Sequence, residues 1–131
     1  MPVVPLDLAD FSSIQRCAAQ VLREEARLDF LILTAGVSGV SGRTSEAFEM
    51  QMGVNDLGHA LLCHLLLPKM AAAAHTSRVI VVSSLGHRFG FVDTQLQSTC
   101  TCFFGWDAYL NGAYLNGAYL NSKLPNVLFP T

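Results

Sequence analysis

Residues 78 to 83, Arg-Val-Ile-Val-Val-Ser, are rich in β-branched side chains and free of glycine and proline, which predicts a buried strand. A second apolar run, Leu-Asp-Phe-Leu-Ile-Leu-Thr-Ala at 28 to 35, is closed by Gly36, as expected of a strand covered on both faces. The residues between them follow another period. Phe48, Met52, Asn55, His59, Leu62 and Leu66 recur at three- and four-residue steps, predicting a long helix over about 45–70 with Asn55 on a mainly apolar stripe. Upstream, Phe11, Ile14, Ala18, Val21 and Leu22 form one stripe of a helix over about 11–26. Asp10 is its candidate N-cap, and residues 3–8 suggest a strand end. Strand and helix therefore alternate, which predicts an α/β fold with a parallel sheet and helical crossovers.

A length of 131 residues allows one domain at most, and 51% hydrophobic against 14% charged residues marks a core-rich globular chain. The net charge of -2, with no basic cluster, argues against nucleic acid as a partner. The most apolar stretch, 59–70, is interrupted by His64, Pro68 and Lys69. It falls short of the roughly 18 apolar residues a membrane span needs and reads as a buried helix. The first residues lack the basic and apolar regions of a secretory signal. Cys17, Cys63, Cys100 and Cys102 form no disulfide framework, so reduced thiols and a reducing compartment are expected. Cys100 and Cys102 with His87 lack the paired spacing of a zinc site, so no metal is expected.

Residues 108 to 122 contain three near-identical pentads, Ala-Tyr-Leu-Asn-Gly twice and then Ala-Tyr-Leu-Asn-Ser. Only the last is followed at once by a lysine. Tyr119 and Lys123 stand four apart, so on a helix they share a face. A neighbouring ammonium favours a phenolate, which suits a tyrosine to exchanging protons. Such pairs also arise by chance, and other residues must support this one. Ser84 and the Thr34-Ala35-Gly36 turn fall at the carboxyl ends of the two expected strands, where open α/β sheets bind ligands. Ser84 could hydrogen-bond a carbonyl or simply end its strand; Gly36 could admit a ligand or simply make a turn. Asn55, on a buried face, must find partners whether structural or catalytic. His59, His64 and His87 lack telling carboxylate neighbours in sequence and read as packing or surface residues.

Four ordered blocks carry a family resemblance: 28–36 (LDFLILTAG), 48–59 (FEMQMGVNDLGH), 78–87 (RVIVVSSLGH), and Tyr119-x-x-x-Lys123 followed by LPNVLF. Together they resemble short-chain dehydrogenases/reductases, nearest to the retinol dehydrogenase-like branch. The resemblance implies a partial doubly wound, Rossmann-like sheet, incomplete at both ends. It also implies an NAD- or NADP-dependent oxidoreductase acting on a small alcohol or carbonyl, retinoid- or lipid-like. Asn55, Ser84, Tyr119 and Lys123 match the family's catalytic tetrad. Tyr119 would be the general acid/base, Lys123 would ease its ionisation and bind the nicotinamide ribose, Ser84 would polarise the carbonyl, and Asn55 would hold a relay water. Asp7 matches the acidic residue that meets the adenine, and Ala35 and Gly36 the turn that approaches the cofactor.

Several departures accompany the match. Leu33-Thr34 replaces an Asn-Asn pair, Pro125 interrupts the tyrosine helix, and Gly112 and Gly117 precede it. The pentads look like a ten-residue duplication, with Tyr109 and Tyr114 as copies without a role. By the resemblance, the Gly-rich phosphate-binding turn would lie before Met1, and the substrate-binding part beyond the active-site helix. Residues 3–8 would then lack neighbours and the strand at 29–35 one of its two, leaving apolar surface open. The chain is expected to need a partner, as a homo- or hetero-oligomer, or to fold poorly. The alternative function is accordingly a truncated, inactive family member that acts through protein association.

Overall fold

The structure, a computed structural model, describes residues 3–72, 76–89 and 118–128. Gly112 and Gly117, the two earlier pentads, Cys100 and Cys102 lie outside the described residues. Asp10 does open the first helix, α1 (Phe11–Glu24): its backbone is extended and its carboxylate accepts from the Ser12 amide at 2.8 Å. This satisfies one of the amides that a helix start leaves without an intrahelical acceptor. A second is satisfied from afar, since the Phe11 amide donates to Glu46 Oε1 at 2.9 Å. Of the expected stripe, Ile14 and Ala18 are buried, joined by Cys17, while Phe11 and Val21 pack partly buried against the core and Leu22 is instead 39% exposed; Glu25 turns extended to end the helix.

The strands are β1 (Phe30–Leu33) and β2 (Arg78–Val81), parallel and in the register Phe30 to Arg78 through Leu33 to Val81. The Val82 amide bonds the Leu33 carbonyl at 3.0 Å and carries the pairing to the carboxyl ends. Side chains alternate across the pair. Leu33, with Leu31, Val79 and Val81 beside it, packs with Ile14, Ala18, Leu62 and Leu66. The opposite face carries Phe30 and Ile32, each 57% exposed, with Ile80 at 42% and Val82 at 41%. Burial on both faces is thus not observed, because the described helices cover one side of the sheet. Residues 3–7 form no strand. Among the described residues nothing lies in position to pair with them.

The central helical run starts later than its apolar period suggests. Residues 44–49 form a tight loop in which Ala47 has φ 66° and the Thr44 amide meets the Phe48 carbonyl, closed by an isolated antiparallel backbone bridge between Arg43 and Glu49. Glu49 then caps α2 (Met50–Met52) by accepting from the Met52 amide at 2.7 Å. A π-helical segment, Gly53–Leu57, leads into α3 (Gly58–Ala71), which packs on α1 through Leu62, Cys63 and Leu66. A Cβ at Gly58 would lie 2.6 Å from the Leu8 carbonyl oxygen. Glycine there lets the segment entering α1 lie against the helix. No helix among the described residues is long and apolar enough to cross a membrane.

Beyond β2, a 3-10 helix spans Leu85–Phe89. The tyrosine helix is split, as Pro125 foretold: α4 covers 118–123, Leu124 bends, and α5 (Pro125–Leu128) restarts with the proline at its first position. Proline is tolerated there because its missing amide has no helical acceptor to serve.

Candidate active site

Asn55 is fully buried in the π-helical segment. Its Oδ1 accepts from the Val37 amide at 2.7 Å, while Nδ2 donates to the Val37 carbonyl and to Ser122 Oγ, each at 2.9 Å. One side chain therefore ties the loop after β1 to α4. Ser122, also fully buried, donates onward to the Tyr119 carbonyl at 2.8 Å. Asn126 of α5 donates to the Asn55 carbonyl at 3.1 Å. π-Helical turns of this kind are frequent at functional sites, where they re-aim backbone groups.

Lys123 is 4% exposed, with Nζ donating to the Val82 carbonyl at 3.3 Å and lying 5.9 Å from the centre of the Tyr119 ring. Ser83 Oγ donates to the Lys123 carbonyl at 2.7 Å, so the end of β2 holds the last turn of α4. This bond matters because the helix breaks one residue later. The Gly36 backbone runs directly over the pair: a Cβ there would meet Asn55 Oδ1 at 2.9 Å and Lys123 Nζ at 3.5 Å. Glycine at this turn is required by the site itself.

Ser84 Oγ accepts from the Gly86 amide at 3.2 Å, and His87 Nδ1 lies 2.6 Å from the Ser84 carbonyl. A Cβ on Gly86 would lie 3.5 Å from Ser84 Oγ and 3.8 Å from Tyr119 Cε1. The serine hydroxyl and tyrosine ring thus border one point. Asn55, Lys123, Tyr119, Ser84 and Gly36 form one connected corner at the carboxyl ends of β1 and β2. Ala35 is exposed on its rim. Asp7 is engaged elsewhere, its Oδ1 accepting from the Ala9 amide at 2.9 Å and its own amide donating to Ser13 Oγ at 3.0 Å.

Two further titratable groups sense this corner. Burial pushes the Asp56 carboxyl up to about 6, partly opposed by the charge of Lys123. Burial also makes His59 a weaker base than usual, reinforced by Lys123 and partly opposed by the Asn55 backbone, and among the described residues its buried Nδ1 meets no hydrogen-bond partner within bonding geometry. Sequence reading passed over Ser83, Asp56, Ser122 and Asn126. Ser122 had a signal, a small polar residue three after Tyr119 on the same helix.

A profile of the short chain dehydrogenase family matches residues 1–97. Dehydrogenase/reductase SDR family member 13 of Bos taurus is 46% identical over 125 residues, covering 95% of this chain and 30% of the relative. Retinol dehydrogenase 13 of Homo sapiens is 52% identical over 89 residues, or 67% of this chain and 27% of that protein. The chain thus spans less than a third of the length of these relatives. Among solved structures, an uncharacterized protein from Mycobacterium paratuberculosis superposes with a TM-score of 0.72 at 36% identity, covering 95% of this chain and 40% of that one.

Proposed function

The chain belongs to the short-chain dehydrogenase family, and we propose that it carries the proton-transfer corner of an NAD(P)-dependent oxidoreductase for an alcohol or carbonyl of retinoid- or lipid-like type. The observation that carries this reading is the Asn55 junction, which seats the Tyr119 and Lys123 helix against the carboxyl ends of both strands. Tyr119 would exchange a proton with the substrate oxygen, and Ser84 would hold that oxygen by its hydroxyl. Lys123 supports a ribose-binding role: it is a buried ammonium with three donor hydrogens, and its protein acceptor is the Val82 carbonyl. Gly36 keeps a side chain off Lys123, whose Nζ a Cβ at that position would approach to 3.5 Å. These residues fit the nicotinamide end of a cofactor, which when bound would supply or accept the hydride. Asn55 serves by fixing α4, with its amide spent on Val37 and Ser122.

Millimolar NADPH should raise the thermal midpoint of the chain, and Lys123→Ala should abolish the rise. An unchanged midpoint in the wild type would reject cofactor binding by this chain. A second reading is favoured by the exposed Phe30, Ile32, Ile80 and Val82 face, which suits association with a full-length relative more than life in water. Co-expression should then yield a stable complex, and recovery of monomer alone would count against it.

A further inference from the structure

We propose that Asn126 is a positioning residue for this corner: its side-chain amide holds the Asn55 carbonyl, and so keeps the Asn55 side chain in register with Val37 and Ser122. The hydrogen bond joins residues 71 apart in sequence, at 3.1 Å, in a part-buried setting. It acts on Asn55, whose side chain connects the loop after β1 to α4. Asn55 belongs to a π-helical turn, whose peptide groups depart from the α-helical pattern around them. An amide donor fixed from outside the helix therefore helps determine how that turn, and the side chain on it, is held.

The break at Pro125 is part of the same arrangement. In an uninterrupted helix the backbone ladder would carry α4 straight into Asn126. Here α4 stops at Lys123, whose carbonyl is taken by Ser83 Oγ, and α5 restarts at Pro125 with the Val127 amide bonding the Leu124 carbonyl at 3.0 Å. Two side-chain hydrogen bonds, Ser83 to Lys123 and Asn126 to Asn55, then flank the break; the first anchors α4 to the end of β2 and the second anchors α5 to the π-helical turn. Tyr119 and Lys123 lie on the half immediately before it. The functional consequence rests on the active-site reading above, but the placement can be tested without turnover or cofactor.

The test uses the full chain labelled with 15N and 13C. In the wild type, a through-hydrogen-bond scalar coupling should connect Asn126 Nδ2 to the Asn55 carbonyl carbon; its absence overturns the proposal without need of any variant. Asn126→Asp keeps the shape but replaces the amide donor with a carboxylate. It should speed exchange of the Asn55 side-chain amide hydrogens at least about tenfold at neutral pH, as should Asn126→Ala. Protection of α1 amides should stay within about twofold. If Asn126→Asp leaves Asn55 exchange at the wild-type rate, Asn126 serves packing alone and the proposal fails. Loss of NADPH protection in the wild type would bear on the functional reading and leave this result standing.

Discussion

Replacing Asp56 by asparagine should stabilise the protein at pH 7 and leave it nearly unchanged at pH 4. The carboxyl titrates near 6 in the folded chain, against 3.8 for an ordinary aspartate, because burial penalises its charged form more than Lys123 rewards it. Between those two values the unfolded chain has released this proton while the folded chain still holds it, so stability falls as pH rises from about 4 to about 6. About two pK units correspond to roughly 3 kcal/mol at most, and partial solvent access brings the expected cost to about 2 kcal/mol. His59 acts in the opposite direction: its weakened basicity makes the folded chain bind a proton less readily below its usual 6.5. Comparing wild type with Asp56→Asn at both pH values cancels that contribution. Urea unfolding followed by circular dichroism gives the difference directly. Equal effects of the substitution at pH 4 and pH 7, or a loss of stability at pH 7, would refute the reasoning; the latter would mean that attraction to Lys123 outweighs burial.

Gly36→Ala should cost about 2 kcal/mol, because the new methyl would displace the Asn55 carboxamide from its Val37 partners, and the urea midpoint should fall accordingly. Ala47→Gly should gain up to about 1 kcal/mol by relieving a left-handed backbone, φ 66°, that alanine adopts poorly; a lower midpoint would contradict this. Pro125→Ala should change stability by less than about 1 kcal/mol, since the proline opens α5 rather than interrupting it; a gain near 3 kcal/mol would show that it strains a continuous helix.

What could be read in the sequence was what periodicity and local chemistry report. The Asp10 cap, most of the inward stripe of α1 and the two strands themselves were legible because each depends on residues close in the chain, and their parallel pairing followed from the alternation of strand and helix. The blocks that carry Asn55, Ser84, Tyr119 and Lys123 could be picked out in order, and the structure places these residues at one corner, while their catalytic roles stand as the proposal above. The late start of the central helix was not legible. Thr44 to Glu49 has ordinary helical composition, but Ala47 turns left-handed and Glu49 supplies the cap instead. The π turn at 53–57 was hidden because the apolar period continues through it at three- and four-residue steps. Burial of both sheet faces was inferred from apolar content, which states what a strand prefers to touch and not what covers it. Ser83 and Asn126 could not be found by spacing, since their acceptors lie 40 and 71 positions away.

The most direct test of the central claim is NADPH-dependent reduction of a retinaldehyde-class aldehyde by the longest soluble form of the protein containing residues 1–131, measured for wild type and Tyr119→Phe. The account predicts turnover in the wild type and a loss of about a thousandfold in kcat for the variant, with NADPH affinity retained within a few fold. A Tyr119→Phe enzyme that turns over at the wild-type rate would contradict it.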